Sequence, residues 1–208
     1  MKYCSLDLET TGLEPKAPDR ILQIAMVAED SSVDSPLESL PFFSAIIIPN
    51  GEIKGHPTAL AMNSWILIAI EMSKTKMIHE AFIKRYKDLG IPQETLQRAA
   101  LALSKNIFGS LENMTALANA WLTEHFGIKD NINIAGKNVA GFDIPFLPVE
   151  LSKRFRHRCI DPGSVFIDWS ARSVNNSDEI AKKLGIDSVS HDAYGDAIDV
   201  IKWLRTSY

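Results

Sequence analysis

The chain has 208 residues, of which 46% are hydrophobic and 23% charged, the composition of a soluble globular protein with material for one sizeable core. Lys and Arg number 22 against 26 Asp and Glu, a formal charge of −4; this argues against coating nucleic acid through bulk positive charge and suits a site built from carboxylates. Its two cysteines, Cys4 and Cys159, exclude a disulfide framework and a C-x-x-C metal motif, and no apolar run is long enough to predict a transmembrane helix, so the expectation is a cytoplasmic protein with no membrane contact.

Residues 2–8 read as a strand, and the prolines of 14–19 set a turn. A second strand follows over 21–28, an exposed hairpin loop over 30–41, and a third strand over 42–48, closed by Pro49-Asn50-Gly51. Three successive strands with short polar connections predict an antiparallel meander. Pro57 can open a helix, and 59–72 is helical in pattern. Helices and loops continue through 78–89 and 93–105, and the stretch from about 71 to 109 reads as a helical insertion. Residues 111–126 form a strongly helical stretch with Gly127 as its C-cap. A short strand at 132–135 precedes a helical pattern over 144–155, confined at its start by Pro145 and Pro148. Residues 159–163 read as a strand edge and turn, 178–184 as a short helix ending at Gly185, and about 191–204 as the last helix. This order predicts one α/β domain over 1–208, with a mixed five-stranded sheet flanked by helices.

The first strand carries the sharpest chemical signal. Asp7 and Glu9 are two residues apart, so an extended chain puts both carboxylates on one face. Side by side they repel and raise each other's pKa, which gives a purely structural strand nothing. A hard divalent cation reverses that balance, because Mg²⁺ and Mn²⁺ prefer oxygen ligands. An exposed strand alternating apolar and polar residues has the same pattern, so the remaining ligands must come from elsewhere in the chain.

Two later segments offer them. In Ile134-Ala135-Gly136-Lys137-Asn138-Val139-Ala140-Gly141-Phe142-Asp143, a strand ends in a glycine-containing turn and Asp143 starts the next helix. An acid there serves as a cap or meets the helix dipole; it also lies where open α/β sheets collect their sites. In Ser190-His191-Asp192-Ala193-Tyr194-Gly195-Asp196-Ala197, His191 and Asp196 flank the start of the final helix. His191 is a surface or capping residue on one reading and a general base with a near-neutral pKa on the other.

Taken together, Asp-Leu-Glu-Thr-Thr-Gly-Leu at 7–13, Lys-Asn-Val-Ala-Gly-Phe-Asp at 137–143 and His-Asp-Ala-Tyr-Gly-Asp-Ala at 191–197 resemble the three motifs of the DEDDh 3′–5′ exonucleases. That family includes polymerase proofreading subunits, RNase T and oligoribonuclease, and has an RNase H-like fold. The motifs occur in the family's order and span nearly the whole chain. The sister DEDDy branch has a tyrosine four residues before the last aspartate; here that position is Asp192, and His191 stands five before, as the histidine branch requires.

The resemblance implies that Asp7, Glu9, Asp143 and Asp196 hold two Mg²⁺ or Mn²⁺ ions about 4 Å apart, with His191 taking the proton from the attacking water. It implies substrate contacts from the backbone of Thr10, Thr11 and Gly12 and from Asn138, which matches a family asparagine. The segment 58–63 is similar to a helix that wedges against the terminal base in some members, which brings in Met62. The implied substrate is a single strand with a free 3′ end, and the implied assemblies are a homodimer or a polymerase partner. Lys153-Arg154-Phe155-Arg156-His157-Arg158 reads as a phosphate-contact surface or as a solvated helix end. Two other functions stand beside the exonuclease: a nucleic-acid-binding or polymerase-accessory module with little catalysis, and a metal-dependent phosphatase for small esters.

Overall fold

The computed structural model describes residues 1–15, 19–75, 79–128, 131–170, 173–186 and 192–208. Its strands are β1 (Lys2–Thr10), β2 (Ile21–Asp30), β3 (Phe42–Ile47), β4 (Ile107–Gly109), β5 (Ile132–Ala135) and β6 (Phe155–Ile160). They form one sheet in the order β4-β3-β2-β1-β5-β6. Residues 21–29 of β2 are buried without interruption, as a strand covered on both faces requires. β1 pairs antiparallel with β2 from Lys2 opposite Asp30 to Glu9 opposite Gln23, and a bulge then sets Thr10 opposite Ile21. β2 and β3 are also antiparallel, which completes the meander. The pairs β1–β5, β5–β6 and β3–β4 are parallel.

The helices are α1 (Pro57–Met62), α2 (Ser64–Thr75), α3 (His79–Asp88), α4 (Gln93–Lys105), α5 (Leu111–Phe126), α6 (Asp143–Phe146), α7 (Val149–Ser152), α8 (Pro162–Val165), α9 (Ser177–Leu184) and α10 (Ala193–Arg205). Strand alternation sorts β1 between two cores. Cys4, Leu6 and Leu8 pack with Met114, Ala118 and Leu122 of α5. Tyr3 faces the other way, into a core with Ala197, Ile201 and Trp203 of α10. A third core joins Leu22 of β2 and Ile46 of β3 to Trp65, Ile66 and Ala69 of α2 and Leu96 and Ala99 of α4. Asp7 and Glu9 share the parity of Tyr3 and Ser5. Their side of the strand therefore meets α10, where the Ser5 hydroxyl donates to the Ala197 carbonyl at 2.8 Å.

The structure corrects the sequence reading in three places. Among the described residues the sheet has six strands rather than five; the added strand, β4, is three residues long and too short to show a period. The helix expected over 144–155 is two single turns, α6 and α7, broken where Leu147 turns extended before Pro148, as a residue preceding proline prefers. The basic run 153–158 then enters β6 instead of ending a helix. Arg156, His157 and Arg158 are exposed on this edge strand, where charged side chains discourage further pairing. Arg154 leaves the surface: its guanidinium is largely buried and donates to the Gly127 carbonyl at 2.8 Å, with Asn119 and Thr123 also in reach. Among the described residues, no helix is long and apolar enough to cross a membrane.

Candidate active site

The acids converge where β1 outruns its neighbour. β5 is paired with β1 only at Cys4 and Ser5, so farther along, β1 faces a turn rather than a strand. Asp143, at the first position of α6, fills that gap: its Oδ1 accepts the Leu8 backbone N–H at 2.9 Å. Asp196 comes from the first turn of α10. Asp7, Glu9 and Asp196 each offer a carboxylate oxygen, and these oxygens lie within 4.8 Å of one another. Asp143 stands beside this trio, 2% exposed, with one oxygen committed to Leu8.

The arrangement costs free energy without a cation. Burial pushes the Asp7 carboxyl well above the ordinary carboxylate range, and the charges of Asp143, Asp196 and Glu9 push it further. Glu9 is raised to about 7, first by burial; a hydrogen bond from Asn63 opposes that, and the charges of Asp196 and Asp192 add to it. Asp143 is raised to about 8 by burial, against the pull of its bond from Leu8. Lys137, in the turn after β5, contacts Asp196 at 2.9 Å. Among the described residues, a buried all-oxygen donor set with one lysine against it fits a hard divalent cation.

The turn after β1 is tightly built. The Thr10 hydroxyl donates to the Gly12 carbonyl at 2.6 Å, and the Thr11 N–H donates to the Arg20 carbonyl at 2.9 Å. Thr11 has no exposed surface, and its carbonyl accepts the His56 N–H at 2.7 Å. A Cβ on Gly12 would lie 2.2 Å from the Asp19 carboxylate. Met62 ends α1 and is 44% exposed, close to buried Asn63, whose amide donates to the Thr10 carbonyl at 3.1 Å. Asn138 takes a positive φ of 52°, which asparagine tolerates. Its N–H donates to Asp161 at 2.9 Å and its carbonyl accepts from Gly141 and Phe142. His191 lies outside the described residues; Asp192, next in the chain, is the N-cap of α10 and accepts the Gly195 N–H.

Gln23, which the sequence reading passed over, anchors this end of α10. It lies opposite Glu9 in the ladder and is fully buried. Its Oε1 accepts the Ala193 N–H at 3.2 Å, and its Nε2 donates to Asp192 at 3.0 Å and Asn106 at 3.1 Å. A glutamine inside an otherwise apolar strand is the available sign, since a buried amide must find partners. On the same side opens a groove of about 820 Å³, lined in part by Gln23, Trp65, Arg98, Asp192 and Tyr194. The Arg98 guanidinium sits over the Trp65 ring at 4.8 Å.

A scan against protein-family models finds no match, and no curated protein matches significantly. Solved structures do match across 99% of the chain. Cell-death related nuclease 4 (CRN-4) superimposes with a TM-score of 0.57 at 13% identity. E. coli exonuclease I in complex with a dT13 oligonucleotide gives a TM-score of 0.53 at 18% identity. A 3′-exonuclease recognising the 3′ end of a histone mRNA stem-loop gives 0.57 at 14%. The chain spans 62% of CRN-4, 40% of exonuclease I and 80% of the 3′-exonuclease. At these identities the likeness establishes the fold alone: a mixed sheet flanked by helices, shared with these nucleases.

Proposed function

We propose that this chain is a divalent-metal-dependent 3′–5′ exonuclease that releases nucleoside monophosphates from the 3′ end of single-stranded DNA or RNA. One observation carries the reading: Asp7, Glu9 and Asp196 bring carboxylate oxygens within 4.8 Å of one another at the end of the central strand, with Asp143 buried beside them. Such a cluster, in which burial and mutual repulsion raise Asp7, Glu9 and Asp143, is well matched to two Mg²⁺ or Mn²⁺ ions held by Asp7, Glu9, Asp143 and Asp196. Bound there, the ions supply Lewis-acid stabilisation of the charge that develops on the phosphate.

The chain's own groups do the rest. His191, two positions before α10 in the sequence, accepts the proton of the attacking water, a contribution of roughly 10²–10⁴-fold. The new P–O bond forms as the bond to the penultimate nucleotide's 3′ oxygen breaks; that oxygen takes a proton from solvent water, and the terminal nucleotide leaves as its 5′-monophosphate. The Thr10–Gly12 turn, Met62 and Asn138 flank the terminal nucleotide. A strand reaching buried carboxylates from one end must arrive unpaired, which favours a single-stranded substrate. Incubation with oligonucleotides in Mn²⁺, with and without chelator, tests the reading. Release of mononucleotides that stops in excess EDTA supports it, and undiminished cleavage in EDTA refutes it.

A further inference from the structure

We propose that Lys137 is a built-in counter-cation of the acid cluster, its ammonium held on Asp196 until a divalent ion displaces it, so that it sets how tightly the site binds metal. This rests on the metal-dependent reading above and concerns a residue to which that reading gives no role.

The Lys137 ammonium lies 2.9 Å from the Asp196 carboxylate, and the two side chains are only 22% and 14% exposed. A pair this sheltered is screened far less than a surface ion pair. The same ammonium stands 5.1 Å from the centre of the Trp203 ring, a fully buried aromatic whose π face holds a cation in place. Its field reaches farther into the cluster, drawing down the carboxyls of both Asp7 and Asp143 against burial and mutual repulsion. The backbone delivers it there. A Cβ on Gly136 would sit 2.6 Å from the Leu6 carbonyl, so only glycine lets this turn lie so close against β1 and aim the next residue at the acids.

A displaced ammonium has somewhere to go. Lys137 also borders a second cavity, of about 350 Å³, lined by Asn138, Asp161, Asn175 and Ser177 among others. Asp161 there accepts backbone N–H groups from Asn138 and Gly163 and offers an alternative anion. A divalent ion at Asp196 and the ammonium of Lys137 compete for one carboxylate, and the stronger charge wins once its concentration suffices.

Calorimetric titration of the full chain with Mn²⁺ tests this, comparing the wild type with Lys137→Met. The variant is expected to bind Mn²⁺ about tenfold more tightly and to melt at a lower temperature in EDTA. Equal or weaker Mn²⁺ binding by a folded variant overturns the role of Lys137 and leaves the metal site standing. Absence of Mn²⁺ binding by both proteins overturns the metal reading as well. A measurement on the wild type alone is independent of the variant's folding. The rate of amine acylation at Lys137, read by mass spectrometry, should rise when Mn²⁺ replaces EDTA; an unchanged or slower rate overturns the proposal.

Discussion

Gln23 accepts the Ala193 backbone N–H at 3.2 Å, so a residue of β2 holds the first turn of the helix that carries Asp196. The same amide donates to Asp192 at 3.0 Å, the N-cap of that helix. Glu9, opposite Gln23 in the ladder, and Asp196 are thereby fixed to one rigid frame. Second-layer groups of this kind hold reacting groups within the tolerance that catalysis demands.

Replacing Gln23 with Met keeps the volume and removes every hydrogen bond. The buried partners left behind cost about 1–3 kcal/mol. Urea denaturation should show a loss of that size, and the rate of the proposed nuclease reaction should fall in the folded variant. Wild-type stability and rate in Gln23→Met would show that the amide is idle.

Neutralising Asp7 should separate stability from function. Asp7→Asn keeps the shape of the side chain while removing a carboxylate disfavoured first by burial and then by the charges of Asp143, Asp196 and Glu9. In EDTA the variant should melt higher, by about 2–4 °C per kcal/mol of unfavourable free energy relieved, and the proposed nuclease activity in Mn²⁺ should be lost. A lower melting temperature in EDTA would mean that the carboxylate is compensated in some other way.

The raised pKa values give the metal-free protein a definite pH dependence. Glu9 titrates near 7 and Asp143 near 8 when folded, whereas unfolded carboxyls titrate at about 4. Between those limits the folded state binds more protons than the unfolded state, so stability falls as pH rises. Chemical denaturation in EDTA should therefore give a lower unfolding free energy at pH 8 than at pH 5. Saturating Mn²⁺ at pH 8 should restore the difference, because metal favours the ionised ligands. A metal-free protein more stable at pH 8 would contradict these assignments.

Gly55 offers a test of the turn behind the site. A Cβ there would lie 2.1 Å from the Thr11 carbonyl oxygen, and backbone cannot step aside as a flexible side chain can. Gly55→Ala should displace the Thr10–Gly12 turn at a cost of about 1–3 kcal/mol, measurable by thermal denaturation, and should impair substrate binding. An unperturbed variant would show that the turn is free to shift.

The sequence carried the meander in its apolar runs and turn prolines, and the spacing of Asp7 and Glu9 placed both on one strand face. Position alone marked Asp143 and Asp196 only as acids at a strand-end turn and a helix start, where a capping role explains them as well; the resemblance of the three motifs is what named them as ligands. The missed features are those set by tertiary pairing. β4 exists because Ile107–Gly109 lies alongside β3, and three residues hold no periodicity. The segment 155–160 becomes an edge strand because β5 is there to receive it, not through its own basic composition. Gln23 and Lys137 are ordinary in sequence; their importance comes from contacts with residues 170 and 59 positions away.

The most direct test of the central claim is the product ladder from a 5′-labelled single-stranded oligonucleotide in Mn²⁺, run in parallel with Asp7→Asn. The account predicts progressive shortening by single nucleotides from the 3′ end with the wild type and an intact strand with the variant. Internal cleavage, shortening that proceeds equally well with Asp7→Asn, or an oligonucleotide left whole by the wild type would contradict it.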